Sequence, residues 1–269
     1  MIQRVIPSTG EAIPAIGLGA WQTFDLAPDA PRADVSAVLD TCLRHGCRLI
    51  DCSPMYGRAE EVVGEIAKGS NDFFYATKVW TTGREAGIRQ MTDSLRKMRR
   101  TVIDLMQIHN LVDWRTHLAT LRRWKEEGRV RYIGITHYTD GMHEELERLL
   151  RAEPVDFVQV NYSITDRHAE KRLLPAAADL GVATLINRPF GEGRLFQKVA
   201  GRPLPPLAST LGITSWSALF LAFVLSNPAV TCVIPATSNP AHAAANLAAG
   251  STQLPDAAAR EEMAATLAR

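Results

Sequence analysis

A chain of 269 residues can bury one large core, and its length fits a single α/β domain. With 46% hydrophobic and 22% charged residues it has the balance of a globular protein, which excludes a disordered one. Thirty basic against 29 acidic residues leave a net charge of +1. No global field draws it to nucleic acid or an anionic membrane, so a small-molecule partner is expected.

In chain order, residues 1–15 hold two short extended runs around Ser8-Thr9-Gly10, the pattern of a hairpin that could plug a barrel bottom. From residue 16 onward, apolar strand-like runs alternate with amphipathic helical stretches. Strands are predicted over 16–19, 48–51, 73–78, 104–109, 130–135, 157–161, 183–187 and 230–234. Helices are predicted between and after them over 33–44, 59–67, 87–98, 117–126, 142–151, 170–179, 215–225 and 241–249. Gly46, Gly128 and Gly181 each stand where a helix should stop before a strand. Eight such units without a long break predict a closed parallel (β/α)8 barrel spanning 1–269 as one domain. Residues 191–212, rich in Gly and Pro, read as a long functional loop, and 255–269 as a terminal helix.

Cys42, Cys47, Cys52 and Cys232 lie in the apolar segments CLRHGCRLIDC and AVTCVIP. Their spacing suits neither a metal site nor a disulfide scaffold, so reduced thiols, no metal and a cytoplasmic setting are expected. The N-terminus lacks the apolar stretch of an export signal, and no span reaches transmembrane length.

Active sites of parallel barrels gather at the C-terminal ends of the strands. There, RLID ends in Asp51, FFYATK in Lys78 and DLMQIH in His109, while Tyr56 in SPMYG can reach back over the same rim. Each residue alone has an ordinary structural explanation. Together they put three ionisable groups at successive apolar strand ends, where a charge must be paired or solvated.

DCSPMYGRAEEVVGE resembles the Asp–Tyr signature of the aldo-keto reductases, ATKVW their lysine segment, DLMQIHN their histidine strand and RYIGITHY the strand that follows. The likeness runs from GLGAW at residues 17–21 to IPATSNPAHAAANLAA near the end. It implies a TIM barrel and an NAD(P)(H)-dependent oxidoreductase that reduces an aldehyde, ketone or sugar-like carbonyl. Tyr56 would be the general acid, and His109 would orient the carbonyl. A free tyrosine titrates near ~10, too high for efficient proton exchange. Lys78 beside it would lower that value, with Asp51 holding the lysine. Trp21, Met55, Trp80 and Asn110 are candidate substrate contacts, with rim packing the alternative for Met55 and Asn110.

No G-x-G-x-x-G follows a strand, so a Rossmann fingerprint is absent. The resemblance implies NADP(H) lying across the barrel mouth, with NAD(H) the alternative. Asp51, Gln159 and Asn246 match the family's cofactor positions, and Thr136 stands for its usual serine. His137 stands where an asparagine commonly holds the nicotinamide amide, and Asn187 where an aromatic ring commonly stacks. Ala236 and His242 replace the lysine and arginine that commonly grip the 2′-phosphate. Phosphate would then fall to Thr237, Ser238, His242 and a helix start near Ala241, or to Arg188 and Arg194. Phe190, next to Pro189, could supply the stacking face. The long C-terminal substrate loop of many members is expected to be missing, which would leave substrate choice to 191–212. Two other functions fit these residues: a nucleotide-binding or sensory protein with little turnover, and non-redox acid–base chemistry on a carbonyl compound.

Overall fold

A computed structural model describes residues 1–268. Strands β1 (Gln3–Val5) and β2 (Ala12–Pro14) pair antiparallel. Gly10, at φ 75°, closes their turn with its N–H on the Ile6 carbonyl at 2.8 Å. Eight parallel strands follow in spatial order equal to chain order. They are β3 (Leu18–Gly19), β4 (Leu49–Asp51), β5 (Phe74–Val79), β6 (Ile103–Ile108), β7 (Val130–Thr136), β8 (Phe157–Asn161), β9 (Ala183–Asn187) and β10 (Cys232–Val233). The sheet closes on itself through Gly17 N–H to Val233 O at 2.8 Å and Gly19 N–H to Pro235 O at 3.0 Å. A Cβ at Gly19 would stand 2.8 Å from the Ile234 carbonyl, so the seam requires glycine there.

Helices α1 (Ala33–Arg44), α2 (Ala59–Ala67), α3 (Arg84–Lys97), α4 (Trp114–Glu126), α5 (His143–Ala152) and α6 (Leu173–Asp179) alternate with the strands. Gly46, Gly128 and Gly181 end α1, α4 and α6 in the left-handed region, at φ 76°, 72° and 67°. Residues 191–212, read as loop from sequence, instead carry two five-residue helices, α7 (Arg194–Lys198) and α8 (Pro206–Thr210). Helices this short have no periodic signature and stand by packing, here through buried Leu195 and Ala208. After them come α9 (Trp216–Leu225), α10 (Pro240–Ala248) and α11 (Ala257–Ala268). The first and last predicted strands shorten to two residues each, because the seam is held by isolated bridges such as Ile16 to Val233. No helix among the described residues is long and apolar enough to cross a membrane.

Strand periodicity builds the site. Phe74, Ala76 and Lys78 alternate along β5 on one face, as do Leu105 and Gln107 along β6 and Leu49 and Asp51 along β4. The lower members pack with Tyr132, Phe157 and Leu185, and with Ile6 and Ile13 of the hairpin, in one apolar cluster. The upper members are polar and face the mouth. Tyr132 ties the hairpin down: its hydroxyl lies 2.8 Å from Thr9 Oγ1 and donates to Glu11 Oε2 at 2.5 Å. Tyr132→Phe is expected to lower unfolding free energy by about 1 kcal/mol, measured by urea denaturation, with no change at the mouth.

Candidate active site

Asp51 closes β4 and Lys78 lies one residue before the end of β5, both almost inaccessible to solvent. Lys78 Nζ donates to Asp51 Oδ2 and to the Cys52 carbonyl, each at 2.7 Å. Asp51 Oδ1 accepts from Gln107 Nε2 at 3.1 Å and Gln159 Nε2 at 3.0 Å. A buried ion pair persists only when its remaining valences are filled in this way. Tyr56 lies in the turn between β4 and α2, with its N–H on the Ser53 carbonyl at 3.0 Å. Its ring centre is 5.0 Å from Lys78 Nζ. His109 follows β6 and meets the Tyr56 ring edge-on, at 5.9 Å between centroids. The tetrad expected from sequence is thus one cluster.

Burial works against the Lys78 charge, but Asp51 and Tyr56 outweigh it and hold the ammonium above its ordinary pKa. For Tyr56 the balance differs from the sequence expectation. Burial pushes the phenol up more than Lys78 pulls it down, so its pKa lies above the ordinary value. The phenol is therefore held protonated, as an acid must be before it donates.

Burial, followed by the charges of Lys78 and His137, pushes His109 down to about 3. The ring is neutral. Its Nδ1 lies 2.9 Å from Ser53 Oγ, which also accepts the Met55 N–H at 3.2 Å. A Ser53 hydroxyl that donates to Nδ1 leaves Nε2 as the N–H. Between pH 6.5, the ordinary histidine value, and about 3, the unfolded chain binds a proton that the folded chain refuses. Stability is full above pH 6.5 and is lost as pH falls from there towards 3. His109→Gln is expected to flatten that acid limb in a series of melts across pH, whereas an unchanged limb would assign it to other groups.

A cavity of about 460 Å³ opens above the tetrad. Among the residues singled out from sequence, Trp21, Met55, Asn110, Thr136, Gln159, Asn187, Arg188, Pro189, Phe190 and Ala236 line it. Trp80 does not line it, although its ring centre is 6.3 Å from that of His109. His137 turns aside, stacked on Tyr138 at 5.3 Å with its Nδ1 on the Tyr138 N–H. Ser238 and His242 are exposed and Thr237 and Asn246 are buried, but none of the four lines the cavity. The helix start expected to bind phosphate is already capped: Asn239 Oδ1 accepts from Ala241 N at 2.8 Å and His242 N at 3.4 Å. Arg188 and Arg194 are both drawn to Glu192, at 2.9 and 3.3 Å. Phe190 lines the cavity but packs against Phe196, at 4.8 Å between ring centres.

Sequence reading missed Ser53, Gln107, Tyr138, Glu192, Phe196 and Asn239. Gln107 was within reach, because it stands two residues before His109 and so shares its strand face. Asn239-Pro240 carries the signature of a helix start. Glu192 and Phe196 gave no signal, since only the folded 191–212 segment brings them to the mouth.

Fold and site define a parallel-barrel enzyme whose polar groups meet at the C-terminal rim. The chain belongs to the aldo/keto reductase family, whose model matches residues 15–264. It is 27% identical over 266 residues to methylglyoxal reductase YeaE of Escherichia coli, covering 96% of this chain and 93% of that protein. An aldo-keto reductase of Mycolicibacterium smegmatis is 27% identical over 259 residues, covering 91% and 87%. Among solved structures, an aldo/keto reductase from Klebsiella pneumoniae in complex with NADP and acetate superposes with a TM-score of 0.83 at 26% identity, covering 99% of this chain and 96% of that one.

Proposed function

We propose that the protein reduces a small aldehyde, ketone or sugar-like carbonyl with NADP(H), and that Tyr56 donates the proton. The observation that carries this reading is the buried Lys78–Asp51 pair beneath the Tyr56 ring. Solved relatives in complex with NADP and with NADPH support the cofactor assignment. The nicotinamide end of the cavity suits such a group. Gln159 and Asn187 are amide side chains able to exchange hydrogen bonds with a carboxamide, and Thr136 adds a hydroxyl. When bound, the reduced nicotinamide supplies a hydride to the carbonyl carbon.

This chain's residues do the rest. The Tyr56 hydroxyl gives its proton to the carbonyl oxygen, and the Lys78 ammonium stabilises the phenolate left behind. Asp51 keeps that ammonium charged and fixed, and Gln107 and Gln159 keep Asp51 fixed. The His109 Nε2–H donates to the same carbonyl oxygen and orients it. Trp21, Met55, Phe190 and Phe196 make the adjoining wall apolar, which limits water at the reacting centre.

The phosphate end departs from the family at Ala236 and His242. A charge-assisted bond contributes about 1.5–3 kcal/mol, so NADPH is expected to bind less than about tenfold more tightly than NADH. Ala236→Lys with His242→Arg is expected to raise NADPH affinity by about tenfold or more and to leave NADH affinity unchanged. Nicotinamide fluorescence titrations with both cofactors read this out. Negligible affinity for both would overturn the proposed function.

A further inference from the structure

Beside the mouth, side chains that carbonyl reduction does not use converge from two loops. Asp140 lies in the 3-10 turn Asp140–Met142, His143 is the first residue of α5, and His168 lies in the 3-10 turn His168–Glu170 that follows β8. The i,i+3 spacing puts Asp140 and His143 on one side of their turn. The β7–β8 pairing brings the second loop alongside. One ligand atom from each of Asp140, His143 and His168 lies within 4.8 Å of the other two.

The hydrogen bonds around His143 decide what its ring offers. Asn161, the last residue of β8, donates its Nδ2 to Asp140 Oδ1 and to Asp166 Oδ2, each at 2.7 Å. Carboxylates accept only, so those bonds fix the amide and turn Asn161 Oδ1 towards His143 Nε2, 2.9 Å away. Nε2 then carries the proton, and in the neutral ring Nδ1 presents a lone pair. That lone pair faces His168 Nδ1 at 2.8 Å. An imidazole whose N–H is anchored on an oxygen while its other nitrogen faces a second imidazole has the setting of a metal-ligating histidine.

We propose that Asp140, His143 and His168 form a binding site for a first-row divalent cation, with Zn²⁺ the ion best matched to two imidazoles and one carboxylate. Such a set leaves a fourth tetrahedral position for water. Binding replaces the proton shared between the two Nδ1 atoms by the metal. It opens their separation to about 3.3 Å, as two nitrogens ~2.0–2.1 Å from a tetrahedral zinc require. Arg188 and Arg194, which line a small hollow with Asp166, are drawn off by Glu192, and Arg167 by Glu170 and Glu261. The absence of a metal was expected from cysteine spacing, and this set contains no cysteine.

The test is calorimetric titration of tag-free, chelator-stripped protein with Zn²⁺ at neutral pH. One ion per chain with micromolar or tighter affinity is expected, and Asp140→Asn and His168→Gln should each weaken it by more than about tenfold. Asp140 has a side chain 48% exposed, so its variant keeps the fold even if the histidine variant does not. Visible Co²⁺ bands present in the parent and absent from Asp140→Asn would give the same answer by spectroscopy. No stoichiometric binding, or affinity unchanged in Asp140→Asn, would overturn the proposal.

Discussion

Tyr56→Phe is expected to lower kcat for carbonyl reduction by about 10²- to 10⁴-fold, the range a positioned general acid contributes. Only the hydroxyl is removed. The ring keeps its edge contact with His109 at 5.9 Å and its place over Lys78 Nζ at 5.0 Å. Fold and cofactor affinity should therefore survive, and the loss should fall on kcat. His109 cannot take over as the proton source. With its pKa pushed down to about 3, it is a neutral imidazole that orients the carbonyl and holds no acidic proton at neutral pH. Steady-state NADPH oxidation by both proteins, with cofactor affinity measured separately, distinguishes the acid from a merely structural tyrosine. A phenylalanine variant at full rate would remove Tyr56 from the chemistry.

The second large effect is on stability. Lys78→Met leaves Asp51 charged, 2% exposed and paired only with the neutral amides of Gln107 and Gln159. Breaking a buried ion pair from one side destabilises by about 3–5 kcal/mol, because the surviving charge is uncompensated. Removing both charges removes that penalty. Asp51→Asn with Lys78→Met should thus recover much of the lost stability in urea denaturation, while activity stays as low as in Lys78→Met alone. A double variant no more stable than the single one would show that the carboxylate is not strained by losing its partner.

Much of this site is legible before folding, for a physical reason. In a parallel barrel the last inward residue of each strand faces the mouth, so finding the strand ends locates Asp51, Lys78 and His109. Period-2 alternation extends the same logic to Gln107 and Gln159, which hold Asp51 from β6 and β8 across the barrel interior. The helix limits 33–44 and 59–67 are also readable, since each carries an unbroken apolar stripe.

What escaped depends on long-range packing or on sums of opposing terms. Helices α7 and α8 are too short to show a period, so 191–212 reads as loop. Glu192 draws on Arg188 and Arg194 through a turn that only the folded segment makes. Residue identities show that Lys78 lowers the Tyr56 pKa, whereas only the folded environment reveals that burial acts more strongly in the other direction. The His143–Asn161–His168 network spans two loops whose meeting is set by strand order, and no short motif announces it.

The most direct test of the central claim is a single-turnover experiment in which the protein, loaded with one equivalent of NADPH, meets an excess of small aldehyde. The expected result is complete loss of nicotinamide absorbance with one equivalent of alcohol formed, at a rate that collapses in Tyr56→Phe. Bound NADPH whose absorbance stays unchanged with aldehydes, ketones and sugars alike would contradict it.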